Sequence, residues 1–346
     1  MRVAILGSGA MGTVMGAYFA RSGLAVELID NYQKHVDAMR AHGARVTGCA
    51  EFTVPVTAYM TDEMNGVYDL VFLFTKQMAN EELLPRLAEH LGPESTVCTL
   101  QNGVPEPFVA RFVGEDRTVG GTVLWGATFL SPGVSELTQD ITKTGTLFDI
   151  GEIRGGFTPR IEAVAEVLRR MGPVLVTDQL MASRWGKLVN NACMSGMSAV
   201  CGATFGEVRA HPKARACLSY LGREVKRCCE ADGYKLPELL GGYTSDCLEF
   251  SDQAGFAASQ KMFTDMYEPL QAAKASMLQD LEKGRPTEVR MINGYVCETG
   301  DRLNIRTPFN DKVVEIVSAI EQGEYACSMD NLERFDPDWF TFPLIP

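Results

Sequence analysis

Lys187, Asn191 and Ser195 recur every four residues where a stretch without charged side chains, Leu188 to Gly206, begins. At helical spacing the three fall on one face. A lysine at the edge of so apolar a helix is partly desolvated, which lowers its pKa and readies the ammonium to give up a proton. The same pattern suits a lysine that snorkels from a helix end, and the local residues weigh the two readings evenly. A second group, Ser276-Met277-Leu278-Gln279-Asp280, places Ser276 and Asp280 on one face. Gly284 then ends a helix, and Pro286 and Thr287 start the next. Glu288 falls in its first turn, on a stripe with Ile292 and Tyr295 that points inward. An inward carboxylate needs a partner, and Lys187 is a candidate. The alternative is a solvated first-turn glutamate held by the helix dipole.

The other end of the chain carries a different chemistry. Residues 2–7 are a short, mostly apolar strand that runs into Gly7-Ser8-Gly9-Ala10-Met11-Gly12. Gly7 permits a sharp turn, Gly9 lets backbone approach a pyrophosphate, and Gly12 lets the following helix pack on the strand. The start of that helix offers unpaired N–H groups and a positive dipole end to phosphates. The loop follows a strand, opens a helix and leads to a second strand at 25–30, and this context makes it a dinucleotide site. Asp30 ends the second strand, where a carboxylate accepts hydrogen bonds from the adenosine ribose and repels a 2′-phosphate. That favours NADH over NADPH, although Asp30 also suits a cap on the helix at 32–42, and Lys34 lies close by. Thr75-Lys76-Gln77 and Gln101-Asn102-Gly103 each follow a buried strand, at the ends where open α/β sheets bind ligands. Plain turn chemistry explains them equally well.

These groups need two kinds of scaffold. Strand and helix alternate from residue 2 to about 112, which argues a parallel sheet covered on both faces. From 117 to 152 the pattern turns strand-like with turns at Pro132-Gly133 and Thr144-Gly145, so a more antiparallel extension is expected. A helix near 158–171 and a strand at 173–177 close this part. From 180 on the pattern is helical, with helices near 210–232, 253–283, 286–300 and 308–322. The expected fold class is α/β: an N-terminal Rossmann-type doubly wound sheet over 1–179, then an all-α domain over 180–346. The last ten residues, rich in Phe and Pro, read as a docked tail.

Bulk properties bound the function. The chain has 346 residues, 46% of them hydrophobic, enough for two cores. A formal net charge of -12 argues against nucleic acid or an anionic membrane as partner. No apolar run is long enough to span a bilayer, and no secretory signal opens the chain, so a cytoplasmic location is expected. Ten scattered cysteines without a C-x-x-C pair, and four histidines away from them, read as buried thiols in a reducing compartment rather than metal ligands.

Taken together, the motifs resemble the ketopantoate reductases, also called 2-dehydropantoate 2-reductases. The resemblance runs through the glycine loop, Thr75-Lys76-Gln77, Gln101-Asn102-Gly103-Val104, Trp185-x-Lys187-x-x-x-Asn191, Ser276 to Asp280 and Thr287-Glu288-x-x-x-Ile292-Asn293-Gly294. It implies hydride transfer from NADH or NADPH to the keto group of a small 2-oxo acid. Lys187 would be the general acid, and Glu288 would position it together with the substrate hydroxyl and the cofactor. Asn102 and Lys76 would hold the nicotinamide ribose and the substrate edge. Asn191, Ser195 and Ser276 would hold substrate. The chain departs from the family pattern at Ser195, where a second asparagine is usual. It departs at Asp30-Asn31, where a basic residue is usual, and in extra length around 235–270. These departures leave room for a branched or aromatic 2-oxo acid. Two further readings stand beside this one: an NAD-dependent D-2-hydroxyacid dehydrogenase of the mandelate kind, and a non-catalytic NAD(H)-sensing protein. FAD would also suit the glycine loop. A homodimer through the helical domain is an admissible assembly.

Overall fold

The computed structural model describes residues 1–345. Contacts divide the chain into two units, Met1–Leu180 and Met181–Pro346. In the first unit the short apolar runs become neighbouring strands: β1 (Val3–Leu6), β2 (Val26–Asp30), then β3 (Ala44–Gly48), β4 (Phe52–Val54), β5 (Thr57–Met60), β6 (Tyr68–Leu73), β7 (Leu91–Thr99), β8 (Thr118–Val123), β9 (Ala127–Ser131), β10 (Val134–Leu137), β11 (Phe148–Glu152) and β12 (Val174–Thr177). Five helices connect them: α1 (Ala10–Arg21), α2 (Gln33–His42), α3 (Asn80–Ala88), α4 (Glu106–Val113) and α5 (Pro159–Leu168). The main sheet runs β12-β11-β8-β7-β6-β1-β2-β5. Its strands are parallel from β8 through β5, and β11 turns antiparallel against β8, as the change of pattern after residue 117 predicts. Apolar side chains fill both faces, Ile5, Leu28 and Phe72 on one and Leu6, Ile29 and Leu73 on the other. Strands buried on both sides read as continuous apolar runs for this reason.

A second sheet, β4-β3-β10-β9, departs from the sequence reading, which assigns no element to residues 44–60 and expects 117–152 to extend the main sheet, whereas β9 pairs with β10 and β10 with β3. It packs against α1, so α1 is buried between two sheets. That accounts for a helix that is apolar almost all round, with Val14, Met15, Ala17 and Phe19 fully buried.

The second unit is helical: α6 (Leu180–Asn190), a π-helical turn (Asn191–Ser195), α7 (Gly196–Cys201), α8 (Phe205–Ala210), α9 (Pro212–Ala231), α10 (Gln253–Tyr267), α11 (Ser276–Glu282), α12 (Val289–Leu303) and α13 (Pro308–Glu321). Three expectations are corrected. The uncharged helix is not uniform: it widens into the π turn at Asn191 and stops at Gly202, which adopts a left-handed conformation at φ 62°. The helix expected over 253–283 is two, because Pro269 removes a backbone donor and crowds the preceding turn. Glu288 lies one residue before α12, at its N-cap, rather than in its first turn. The aromatic tail docks as expected. Phe340 and Phe342 pack on Tyr220, Phe256 and Phe309, and the Phe342 N–H donates to the Tyr220 hydroxyl. Among the described residues no helix is long and apolar enough to cross a membrane.

Candidate active site

Four adjacent strands, in the order β7-β6-β1-β2, end on one edge of the main sheet, and each ends in a candidate residue. The glycine loop leaves β1 and is tied to β2 by the Gly7 and Ser8 N–H groups, which both donate to the Ile29 carbonyl at 2.8 and 3.1 Å. Gly7 has φ 96°, and any side chain there would collide with the backbone of Thr75, in the loop after β6. The Gln101 amide closes the remaining gap. It donates to the Thr75 carbonyl at 2.7 Å and to the Asn80 side chain at 2.8 Å, locking the loop after β7 to the loop after β6. Gln77 donates in turn to the Asn102 carbonyl at 2.5 Å. Lys76 and Asn102, both half-buried, therefore occupy neighbouring rigid loops beside the glycine turn.

This edge fits a dinucleotide. Gly9 caps α1 with no side-chain bond to the first-turn N–H groups, and a Cβ there would meet only open space. The Ser8 Oγ is buried and finds no partner among the described residues, as a donor awaiting a phosphate oxygen would. Ala10, Met11 and Gly12 form the first turn of α1. A clamp invisible in the sequence holds the loop from behind. The Gly133 N–H donates to His35 Nδ1 at 2.9 Å, which leaves Nε2 as the protonated nitrogen, donating to the Ser8 carbonyl at 2.7 Å. Asp30 stands at the end of β2, and its Oδ1 accepts from the Tyr32 N–H at 3.0 Å. It thus makes a turn contact at the end of the strand.

In the helical unit, Lys187 lies on α6, one turn after Arg184, and Asn191 and Ser195 lie on the π turn. Burial pulls the Lys187 ammonium down to about 8; the Arg184 cation adds to the lowering, and Glu288 opposes it. Arg184 is itself buried and escapes sequence reasoning, because an arginine beside a lysine reads as a solvated face. Glu288 is 8% exposed, which excludes a solvated role. Its carboxylate does not cap α12; the Thr287 Oγ1 does so by accepting from the Val289 N–H at 3.2 Å. The Thr287 N–H donates to Glu321 at 2.6 Å, which pins the segment to α13. Trp185 and Tyr295, with ring centroids 5.5 Å apart, join α6 to α12. Ser276 is exposed on the first turn of α11, which packs against α7 and the π turn. Glu288→Gln is expected to remove the influence that keeps Lys187 charged, so the alkaline fall in turnover should move to lower pH; a pH–rate profile of the variant measures it.

A buried polar chain runs behind these residues. The Glu224 carboxyl on α9 accepts from the Phe309 N–H at 3.0 Å, the Asn310 N–H at 2.9 Å and the Asn310 Nδ2 at 2.8 Å. Burial pushes Glu224 up to about 8 against the pull of these donors. The Asn310 Oδ1 accepts from Asn293 Nδ2 at 2.9 Å, and the same Nδ2 donates to the Ala192 carbonyl within the π turn at 3.0 Å.

Comparison with known proteins follows the same division. Residues 3–147 match the family described as Ketopantoate reductase PanE/ApbA, and residues 179–321 match its C-terminal domain. A 2-dehydropantoate 2-reductase of Archaeoglobus fulgidus is 30% identical over 325 residues, 93% of this chain and 98% of that protein. Among solved structures, D-mandelate dehydrogenase with NADH and anilino(oxo)acetate superposes with a TM-score of 0.79 at 23% identity, covering 94% of this chain and 99% of that one. A PanE/ApbA family ketopantoate reductase from Ralstonia eutropha JMP134 gives a TM-score of 0.78 at 24% identity, with the same coverage. At these identities the structures establish a shared fold.

Proposed function

Because the chain belongs to the ketopantoate reductase family, we propose that it reduces a small 2-oxo acid, 2-dehydropantoate first, to the 2-hydroxy acid with a reduced nicotinamide dinucleotide. The observation that carries this reading is Lys187, a desolvated lysine under the opposed influence of the Arg184 cation and the Glu288 carboxylate. When bound, the dinucleotide supplies the hydride. Lys187 holds a proton at Nζ and gives it to the keto oxygen as negative charge develops there, an interaction worth more in the transition state than in the ground state. Glu288 keeps Lys187 charged enough to donate and orients it toward the substrate hydroxyl and the cofactor. Asn191, Ser195 and Ser276 hold the substrate's hydroxyl and carboxylate, and Asn102 and Lys76 hold the nicotinamide ribose and the substrate edge. The backbone from Gly7 to Gly12 receives the pyrophosphate. Ten free thiols accord with a reducing, cytoplasmic location.

Asp30 supports NADH over NADPH, since a carboxylate at this strand end repels a 2′-phosphate. Asp30→Ala is expected to relax that preference, lowering kcat/KM for NADH while raising it for NADPH, as steady-state kinetics with both dinucleotides would record. A second reading, an NAD-dependent D-2-hydroxyacid dehydrogenase, draws support from Asp30, from Ser195 in place of the usual asparagine, and from the fold shared with D-mandelate dehydrogenase. One assay separates the readings: consumption of reduced nicotinamide against 2-dehydropantoate and against aromatic 2-oxo acids. Highest kcat/KM with 2-dehydropantoate is expected. Turnover of aromatic 2-oxo acids alone would install the second reading, and binding without turnover of any 2-oxo acid would make the protein a sensor.

A further inference from the structure

We propose that Asn293 is a positioning residue that holds the π turn open and thereby sets Ser195 beside Asn191 on the Lys187 face. The proposal rests on the reading of Asn191 and Ser195 as substrate-holding side chains.

Eight residues separate Lys187 from Ser195. In an uninterrupted α-helix of 3.6 residues per turn, eight residues overshoot two full turns by about 80°. Ser195 would then point well away from Lys187. A π turn, with i→i+5 bonds, is wider and takes up that surplus. The one-face arrangement that four-residue spacing suggests therefore depends on the helix being irregular here.

The backbone shows how the irregularity is made. The Gly196 N–H donates to the carbonyls of Asn191 and Cys193, and it passes over Ala192, its α-helical partner four residues back. The Ala192 carbonyl goes instead to Asn293 Nδ2 at 3.0 Å. A side chain that enters the helical ladder in this way is a recognised cause of local irregularity. The space for it is prepared. A Cβ on Gly196 would stand 3.2 Å from Asn293 Oδ1, 3.3 Å from Nδ2 and 3.0 Å from Val313 Cγ1, tighter than neighbours accept without moving. Gly196 is in ordinary helical conformation, φ -61°, so its lack of a side chain answers to the amide and to Val313 rather than to backbone strain.

The orientation of the amide is fixed from outside. Asn310 turns its Nδ2 to Glu224, so it presents Oδ1 to Asn293, which must answer with Nδ2. Both hydrogens of that nitrogen are then spent, on Asn310 and on Ala192. Asn293 Oδ1 finds no partner among the described residues. A buried acceptor is left unsatisfied while both donors are used, which marks the donors as what the position supplies.

The test is steady-state kinetics on Asn293→Ala, Asn293→Asp, Gly196→Ala, Ser195→Ala and the double variant Asn293→Ala/Gly196→Ala, each checked by thermal melting. Asn293→Ala is expected to raise KM for the 2-oxo acid roughly two- to tenfold, the worth of one hydrogen bond. KM for the dinucleotide and the alkaline limb of the pH profile should stay in place, because the segment carrying Lys187 precedes the turn. Asn293→Asp, equal in shape but lacking the donor, should do at least as much harm. Gly196→Ala should raise the same KM in the native background and add less once Asn293 is alanine, since only Val313 is then left to crowd it. An unchanged KM in Asn293→Ala and Gly196→Ala, while Ser195→Ala raises it, overturns the proposal and leaves the functional reading intact. If Ser195→Ala itself leaves KM unchanged, the functional reading of the π turn fails instead, and the proposal fails with it. Additive harm in the double variant also overturns the proposal.

Discussion

Lys187→Ala is expected to lower kcat for 2-oxo acid reduction by roughly 10²–10⁴-fold, the usual contribution of a positioned acid. The loss should fall on kcat more than on KM, because the proton is needed as charge builds on the keto oxygen and not while substrate binds. Binding of the dinucleotide should change little, since its candidate contacts other than Glu288 lie on the glycine loop and the ends of β2, β6 and β7. Lys187→Arg sharpens the test. Arginine keeps the positive charge but does not release a proton in the working pH range. If Lys187 acts only as a charge, arginine should restore much of the rate; as a proton donor it should not. Single-turnover measurements with both variants decide, and a kcat within a few-fold of wild type for Lys187→Ala would remove Lys187 from the mechanism.

Glu224→Ala carries the largest expected cost in stability. Its carboxyl accepts three N–H groups from the first turn of α13, two of them backbone and one from the Asn310 side chain. Alanine strands all three donors and leaves a cavity, at a cost of roughly 3–5 kcal/mol. For a unit of this size that corresponds to a fall in its melting temperature of roughly 10 °C. The position also carries a pH signature. Because burial raises Glu224 to about 8, the folded unit retains this proton at a pH where the unfolded chain has lost it. Its contribution to stability is therefore fully present below the ordinary carboxyl range and is lost as pH rises through about 8. Melting curves across that window should show wild type losing stability that Glu224→Gln does not lose. A Glu224→Ala melting temperature within a degree or two of wild type would contradict the network.

How much of this was legible in the chain depends on how far each contact reaches. The glycine loop, Asp30, and the motifs at Lys76 and Asn102 are read from neighbours in sequence, because a strand end, a turn and a helix start are local events. Lys187, Asn191 and Glu288 stand out as polar groups in apolar surroundings. Residues 44–60 were opaque because their strands are three to five residues long and only partly buried, too short to show a period. His35 looks like one more polar residue on a surface helix until Gly133, 98 residues away, is folded against it. The π turn is hidden for the same reason. It is made by Asn293 from 101 residues away, and nothing in the local residues from Asn191 to Gly196 marks it off from an ordinary helix. Glu288 shows the middle case: its inward direction was readable, while its place before the helix was decided by Thr287 taking the cap.

The measurement that bears most directly on the account is the pH dependence of kcat/KM for 2-oxo acid reduction by the wild-type protein. A proton donor with the character of Lys187 must be charged in the free enzyme, and burial beside Arg184 sets its pKa at about 8. We expect kcat/KM to be level at lower pH and to fall above about 8 in proportion to the protonated fraction that remains. A profile that stays level well into the alkaline range, where Lys187 has lost its proton, would contradict the assignment.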